Sequence, residues 1–194
     1  MSVSIDVAGF EQAAQSHPII NSSEFVAYSG ARQITSTADG RIWFVTGQPY
    51  PVSFPVMAQT DKIATVINVR ASSETTEAPP PTPPAPPYDA GEQGLLAGAG
   101  ITNYYHITVT RTMNQSQFDA AATQAADTLY AASATAPALV HCSSGDRASS
   151  VFAVMLMKYY GFGNNLAVAY CVSCLLLANE SMISLVLGYT PQSG

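Results

Sequence analysis

Cysteine, glycine and arginine stand close together in "HCSSGDRAS", His141 to Ser149, and that combination suits one kind of chemistry. The thiolate is the competent form of a cysteine nucleophile. A free thiol titrates near about 8.5, and cations or a helix N-terminus favour its ionisation. Cys142 follows the short apolar run "PALVH" (Pro137–His141), and Arg147 opens "RASSVFAVMLMKYYG" (Arg147–Gly161), an apolar helix that ends at glycine. Gly145 lets the turn between them aim successive N–H groups inward, forming a nest for an anion. Arg147 supplies a bidentate fork for two anion oxygens. Ser143 and Ser144 are small enough to leave the cradle open, and Ser149 is a candidate donor to the thiolate or to a leaving sulfur. An isolated cysteine at a strand end is usually a small buried hydrophobe. Cys, Gly and Arg together at a strand–helix junction read instead as an anion site with Cys142 as the attacking group.

The surrounding elements must place that junction at the edge of a sheet. "RIWFVTGQP" (Arg41–Pro49) reads as a strand running into a turn, and "KIATVINVR" (Lys62–Arg70) as a strand buried on both faces. "AGEQGLLAGAG" (Ala90–Gly100) predicts a short helix, "ITNYYHITV" (Ile101–Val109) a third strand, and "PALVH" a fourth. "SQFDAAATQAADTLYAA" (Ser116–Ala132) predicts a helix capped by Ser116, with Phe118, Ala122, Ala125 and Leu129 on one face. A last helix is expected from Asn165 to about Leu187. Strands alternating with helices imply an α/β domain with a mostly parallel sheet, whose ligands sit at the carboxyl ends of strands and near helix N-termini. Residues 1–40 read as an N-terminal extension packing on the domain, with one helix around Gly9–Ser16 and irregular chain after it; residues 41–194 read as the domain itself. "APPPTPPAPPY" (Ala78–Tyr88) holds seven of the 13 prolines and predicts an extended surface loop, with a ligand for an aromatic groove as the alternative.

Composition excludes several functions. Of the 194 residues 47% are hydrophobic and 10% charged, which excludes a disordered chain. A net charge of −6 with seven Lys plus Arg leaves no basic patch for a nucleic-acid backbone. The longest apolar run, "LAVAYCVSCLLLA" (Leu166–Ala178), is shorter than the ~20 residues of a membrane span. Three cysteines cannot all pair, so reduced thiols are expected. The first residues show neither a basic n-region nor an apolar h-region, so a cytoplasmic protein is expected, with export the alternative if a leader preceded them.

"VHCSSGDRAS" resembles the signature loop of the cysteine-dependent protein tyrosine and dual-specificity phosphatases, His-Cys-x5-Arg-Ser/Thr. It is more similar still to the bacterial beta-lactamase-hydrolase-like phosphatase domains, whose loop is Cys-x4-Arg. The chain offers their other elements in order: "VTGQP" (Val45–Pro49), "TVINVR" (Thr65–Arg70), "SSETTEAP" (Ser72–Pro79) and "GITNYYHITV" (Gly100–Val109). The resemblance covers about residues 41–162. It implies the cysteine phosphatase fold and a phosphorylated protein or small phosphate as substrate, with no metal or organic cofactor. By the same resemblance Cys142 attacks phosphorus to form a cysteinyl-phosphate. Arg147 and the loop from Ser143 through Gly145, Asp146, Ala148 and Ser149 bind the phosphoryl oxygens, and His141 supports the thiol from behind.

Three departures qualify what the resemblance carries over. The loop is one residue shorter than in ordinary tyrosine phosphatases. Ala148 stands where Ser or Thr usually follows the arginine. "TVTRTMNQSQ" (Thr108–Gln117), where the family's general acid is expected, has no carboxylate. Asp146 is then a candidate acid, as are Asp119, Glu74, Glu77 and Glu92; such an acid is typically worth ~10²–10⁴-fold in rate. The short loop also resembles that of rhodanese-like sulfurtransferases, which carry a persulfide on cysteine, and a catalytically weak phosphate-binding module is a third reading. Among weaker signals, "CVSC" (Cys171–Cys174) reads as core packing, with a resolving thiol as the alternative. "NESM" (Asn179–Met182) reads as a solvated helix face. His106 reads as a half-buried histidine satisfied by backbone, or else as a residue at the pocket edge. Arg111 reads equally as a selector of anionic substrates and as a solvated side chain.

Overall fold

The computed structural model describes residues 19–25, 31–71, 74 and 90–191. Six strands form one sheet: β1 (Ile19–Phe25), β2 (Ala31–Ser36), β3 (Ile42–Thr46), β4 (Thr65–Asn68), β5 (Asn103–His106) and β6 (Ala138–His141). Their spatial order is β1-β2-β3-β6-β4-β5. Strands β3, β6, β4 and β5 run parallel, while β1 and β2 add antiparallel to the β3 edge. The described residues also form six helices: α1 (Phe54–Gln59), α2 (Ala90–Ala99), α3 (Gln115–Ala132), α4 (Asp146–Tyr160), α5 (Asn164–Cys174) and α6 (Glu180–Leu187). None of the described helices is long and apolar enough to cross a membrane.

The sheet is covered on both faces, so its central strands are apolar at consecutive positions. Trp43, Val45, Ile67, Ala138 and Val140 face the larger core under α3, α4, α5 and α6. Phe44, Val66 and Leu139, the residues of opposite parity, face a smaller core with Phe54 and Met57 of α1 and Leu96 of α2. The parity continues past the strand ends: His141 points with Leu139 to the α2 side, and Cys142 joins the core on the α4 side. Register then aligns Thr46, His141, Asn68 and His106 along one edge of the sheet. Helix α4 is buried along Asp146–Met157 and ends at Gly161 in the left-handed region (φ 71°).

Four local expectations are corrected. The stretch read as irregular chain in the first 40 residues supplies β1 and β2. The burial of Ala31, Ile34 and Ser36 on β2 is too short and too polar a pattern to stand out in sequence. The cap of α3 is Asn114, which forms a reciprocal capping box with Gln117, and Ser116 lies inside the helix. The single last helix is two, α5 and α6, separated at Leu175–Asn179, where backbone N–H groups bond to side chains of the Cys142 loop helix. Asn179 caps α6 through bonds from Ser181 and Met182, and Met182 is core rather than solvated face. The helix expected around Gly9–Ser16 and the proline-rich Ala78–Tyr88 lie outside the described residues.

Candidate active site

Strand β6 ends at His141, and the chain turns through Cys142–Gly145 into α4. The Sγ of Cys142 accepts the N–H of Gly145 at 3.1 Å, so the thiol sits at the floor of the turn. Gly145 has φ +91°, a conformation in which a side chain is strained, and a Cβ there would overlap Leu176. The turn after β3 supports the loop from one side. A Cβ on Gly47 would approach the Ser143 carbonyl to 3.0 Å, and the N–H of Gln48 donates to that carbonyl at 3.1 Å. Ser143 and Ser144 are exposed, while the rest of the loop is buried. The first N–H groups of α4 have no acceptor within the helix and open onto the loop.

Arg147 is buried, with 5% of its surface exposed. Its two Nη atoms form a bidentate pair with the Glu74 carboxylate, Nη2 at 2.9 Å from Oε1 and Nη1 on Oε2. Nη2 also donates to Ser143 Oγ at 2.8 Å and Nη1 to the Val109 carbonyl at 3.4 Å, while Nε has no hydrogen-bond partner among the described residues. Glu74 is held in turn by the Ala71 N–H at 2.7 Å. Burial raises the Glu74 pKa, but the Arg147 and Ala71 bonds outweigh it and hold the carboxyl below the usual range.

The structure gives the other expected site residues different tasks. Asp146 is buried, and its Oδ1 accepts the N–H groups of Ala178 and Asn179 at 3.0 and 2.9 Å. Its Oδ2 pairs with Arg111 at 3.4 Å. The carboxylate thus clamps the α5–α6 break, and Arg111 is an exposed side chain that makes this ion pair to the loop helix. Ser149 does not serve the thiol. Its hydroxyl donates to the Gly145 carbonyl at 2.9 Å and accepts from Leu176 N at 3.1 Å, and its own N–H is taken by Gly145. Ala148 is fully buried in the core. Asp119 accepts from Gln115 at 2.7 Å, and the same Gln115 amide donates to the Leu185 carbonyl, which places Asp119 at the α3–α6 contact. His106 bonds the Arg70 carbonyl at 2.8 Å. Cys171 is fully buried in the core, and burial pushes its thiol up. Glu77 lies outside the described residues.

Beneath the loop, on the α2 side, lies a polar cluster that sequence reasoning did not assemble. Glu92 of α2 stands 3.3 Å from His141 Nε2, at ion-pair distance without the alignment of a hydrogen bond. Its Oε1 accepts from Gln48 at 2.7 Å, and its Oε2 accepts from Asn68 at 2.9 Å and the Tyr104 hydroxyl at 2.8 Å. Burial raises the Glu92 pKa, but the His141 charge and the Gln48 and Tyr104 donors pull it down to about 2. One signal was available in the sequence. An asparagine inside the apolar run "TVIN", and a lone glutamate in a small-residue helix, each need a buried partner.

No family model matches the sequence, and no curated protein matches it. Solved structures do resemble the fold. TpbA from P. aeruginosa in complex with pTyr aligns with a TM-score of 0.56 at 12% identity, over 87% of this chain and 86% of that chain. The core catalytic domain of the PP-IP phosphatase SIW14 from S. cerevisiae, in complex with citrate, aligns at 0.53 and 15% identity over 76% and 80%. A putative phosphatase (DUF442) from Shewanella putrefaciens CN-32 aligns at 0.51 and 23% identity over 74% and 83%.

Proposed function

We propose that this chain, whose fold is that of the cysteine-dependent tyrosine and dual-specificity phosphatases, hydrolyses phosphate monoesters through a cysteinyl-phosphate on Cys142. One observation carries the reading. The Cys142 sulfur accepts the Gly145 N–H in the turn between a strand and a helix, and the buried Arg147 fork stands in the first turn of that helix, held by Glu74 and Ser143. In the first step an S–P bond forms as the ester P–O bond breaks, and the leaving oxygen takes up a proton. In the second, water oxygen bonds to phosphorus, the S–P bond breaks, and inorganic phosphate leaves with the thiolate restored. Arg147 offers its Nε, which has no hydrogen-bond partner among the described residues, and, once Glu74 yields, an Nη to the phosphoryl oxygens. The N–H groups of the first turn of α4, which have no acceptor within the helix, are the further donors this reading assigns to them, and Ser143 holds Arg147. His141 supports the thiol from beneath.

With Asp146 and Asp119 bonded elsewhere, Glu74 is the one carboxylate among the described residues that contacts Arg147. Glu74 is then the candidate to protonate the leaving oxygen after it has yielded the Arg147 fork. Aryl phosphates, whose oxygen leaves readily, are the substrates expected to turn over fastest. Structures of the same fold with pTyr bound, or named for PP-IP hydrolysis, make phosphotyrosine and inositol phosphates the first physiological classes to try. The test is phosphate release from para-nitrophenyl phosphate by the wild type and by Cys142→Ser. Activity is expected in the wild type and only background in the variant; equal rates in both would sink the mechanism. A parallel assay with thiosulfate and cyanide reads the sulfur-transfer alternative, and thiocyanate production without phosphate release would replace this reading.

A further inference from the structure

The Glu92 carboxylate is buried completely, and every contact it makes belongs to a different piece of the site's underside. His141 comes from β6, Asn68 from β4, Tyr104 from β5 and Gln48 from the turn after β3. Gln48, Asn68 and Tyr104 donate to it and His141 stands at ion-pair distance, so neither oxygen is left short of a donor. Tyr104 remains a donor because burial, and then the Glu92 charge, push its hydroxyl well above the usual value. A buried carboxylate is expensive to keep, and several kcal/mol of desolvation is the usual penalty for such an ion. A cluster that turns three donors and a histidine from four segments onto one charge must hold that charge for a reason beyond packing.

Two paths lead from it to the loop. One is direct, since His141 Nε2 faces Glu92 and the next residue is Cys142. The other runs through side chains. Gln48 Nε2 donates to Glu92, and its Oε1 accepts from Arg70 Nη1 at 3.2 Å; Arg70 Nη2 donates to the Glu74 carbonyl, and the Glu74 carboxylate holds Arg147. The negative charge of Glu92 therefore fixes which way the Gln48 amide points.

We propose that Glu92 is a positioning residue for the Cys142 loop. It holds the His141 ring beneath the thiol, and through Gln48 and Arg70 it keeps the Glu74–Arg147 pair in place. The inference rests on the reading of Cys142 as a nucleophile. The charged and titratable groups that bear on it are His141, Tyr104 and Arg70 around Glu92, and Arg147 with Glu74 around Cys142.

The experiment is the pH dependence of iodoacetamide alkylation at Cys142, read by the mass of the Cys142 peptide in folded wild type, Glu92→Gln and His141→Asn. With Glu92→Gln the acid limb of the profile is expected to move to higher pH, slowing alkylation at pH 6 by up to about tenfold, as a one-unit displacement would. The plateau rate at high pH is expected to stay near wild type. A merely structural role would lower the melting temperature without moving the limb, and that outcome overturns the proposal. If Glu92→Gln does not fold, His141→Asn decides. Glu92 reaches the thiol through His141, so an unmoved limb there overturns the proposal as well. Alkylation needs no turnover, so a moved limb in a protein that releases no phosphate would fail the hydrolase reading alone. Phosphate release with an unmoved limb would fail this one alone.

Discussion

Two glutamates flank the Cys142 loop, and they are held in opposite ways. Glu74, on the outer side, keeps a third of its side chain exposed and is bound by the charged fork of Arg147 and the N–H of Ala71. Glu92, beneath, has none exposed and is bound by three neutral donors and one histidine. A charge gripped by another charge at the protein's edge is exchangeable, because water or an arriving anion replaces what is lost. A charge gripped by fixed dipoles in the interior is not, because nothing enters to replace them. The outer carboxylate suits a contact made and broken with each substrate. The inner one suits a permanent fixture.

Removing each side chain puts the largest strain on this comparison. Glu92→Ala takes the carboxylate from Gln48, Asn68 and Tyr104 and the ion-pair partner from His141, and breaking a buried ion pair costs about 3–5 kcal/mol. Glu74→Ala, at a partly exposed pair, is expected to cost about 0–1 kcal/mol. Urea denaturation at neutral pH measures both. Equal losses would mean that Glu74 is as much a part of the framework as Glu92.

Acid separates the two by a smaller amount. Glu92 falls from 4.5 to about 2 on folding, so the folded state binds its proton less readily than the unfolded chain. Its contribution is full above about 4.5 and is lost as pH falls towards 2. A difference of that size corresponds to stability on the order of 3 kcal/mol. Wild type is expected to lose urea resistance steeply across that window, and Glu92→Gln to show a flatter profile there. Parallel profiles for the two proteins would remove Glu92 from the acid response.

The two carboxylates also mark how far the sequence could be read. The loop, α4 and the core strands were legible because they rest on local signals: an apolar run, a glycine, an arginine and a helix period. The face of α3 followed from spacing alone, with Phe118, Ala122, Ala125 and Leu129 all fully buried. Asp146 and Ser149 were read as site side chains because their positions are right, but their bonds go to Leu176, Ala178 and Asn179, far along the chain. Those same bonds break the last helix within an apolar sequence that carries no glycine or proline to announce it. Glu92 was named only as one acid among several. Its place beneath His141 depends on the pairing of β4 with β6 and the packing of α2 across them, which no spacing within the chain encodes.

The smallest expected effect is the one that tests exchangeability itself. If Glu74 competes with substrate for the Arg147 Nη atoms, Glu74→Gln should bind inorganic phosphate more tightly, because an amide is a weaker rival for the fork than a carboxylate. The gain is bounded by the worth of a partly exposed pair, about 0–1 kcal/mol, or roughly up to fivefold in affinity. Competitive inhibition of para-nitrophenyl phosphate hydrolysis by phosphate reads it directly. The catalytic rate need not follow the affinity: a glutamine cannot protonate the leaving oxygen, so a fall in kcat beside a tighter phosphate constant would assign Glu74 both tasks. Weaker phosphate binding in Glu74→Gln would mean that the carboxylate aims Arg147 at the anion, and the outer glutamate would then be a fixture like the inner one.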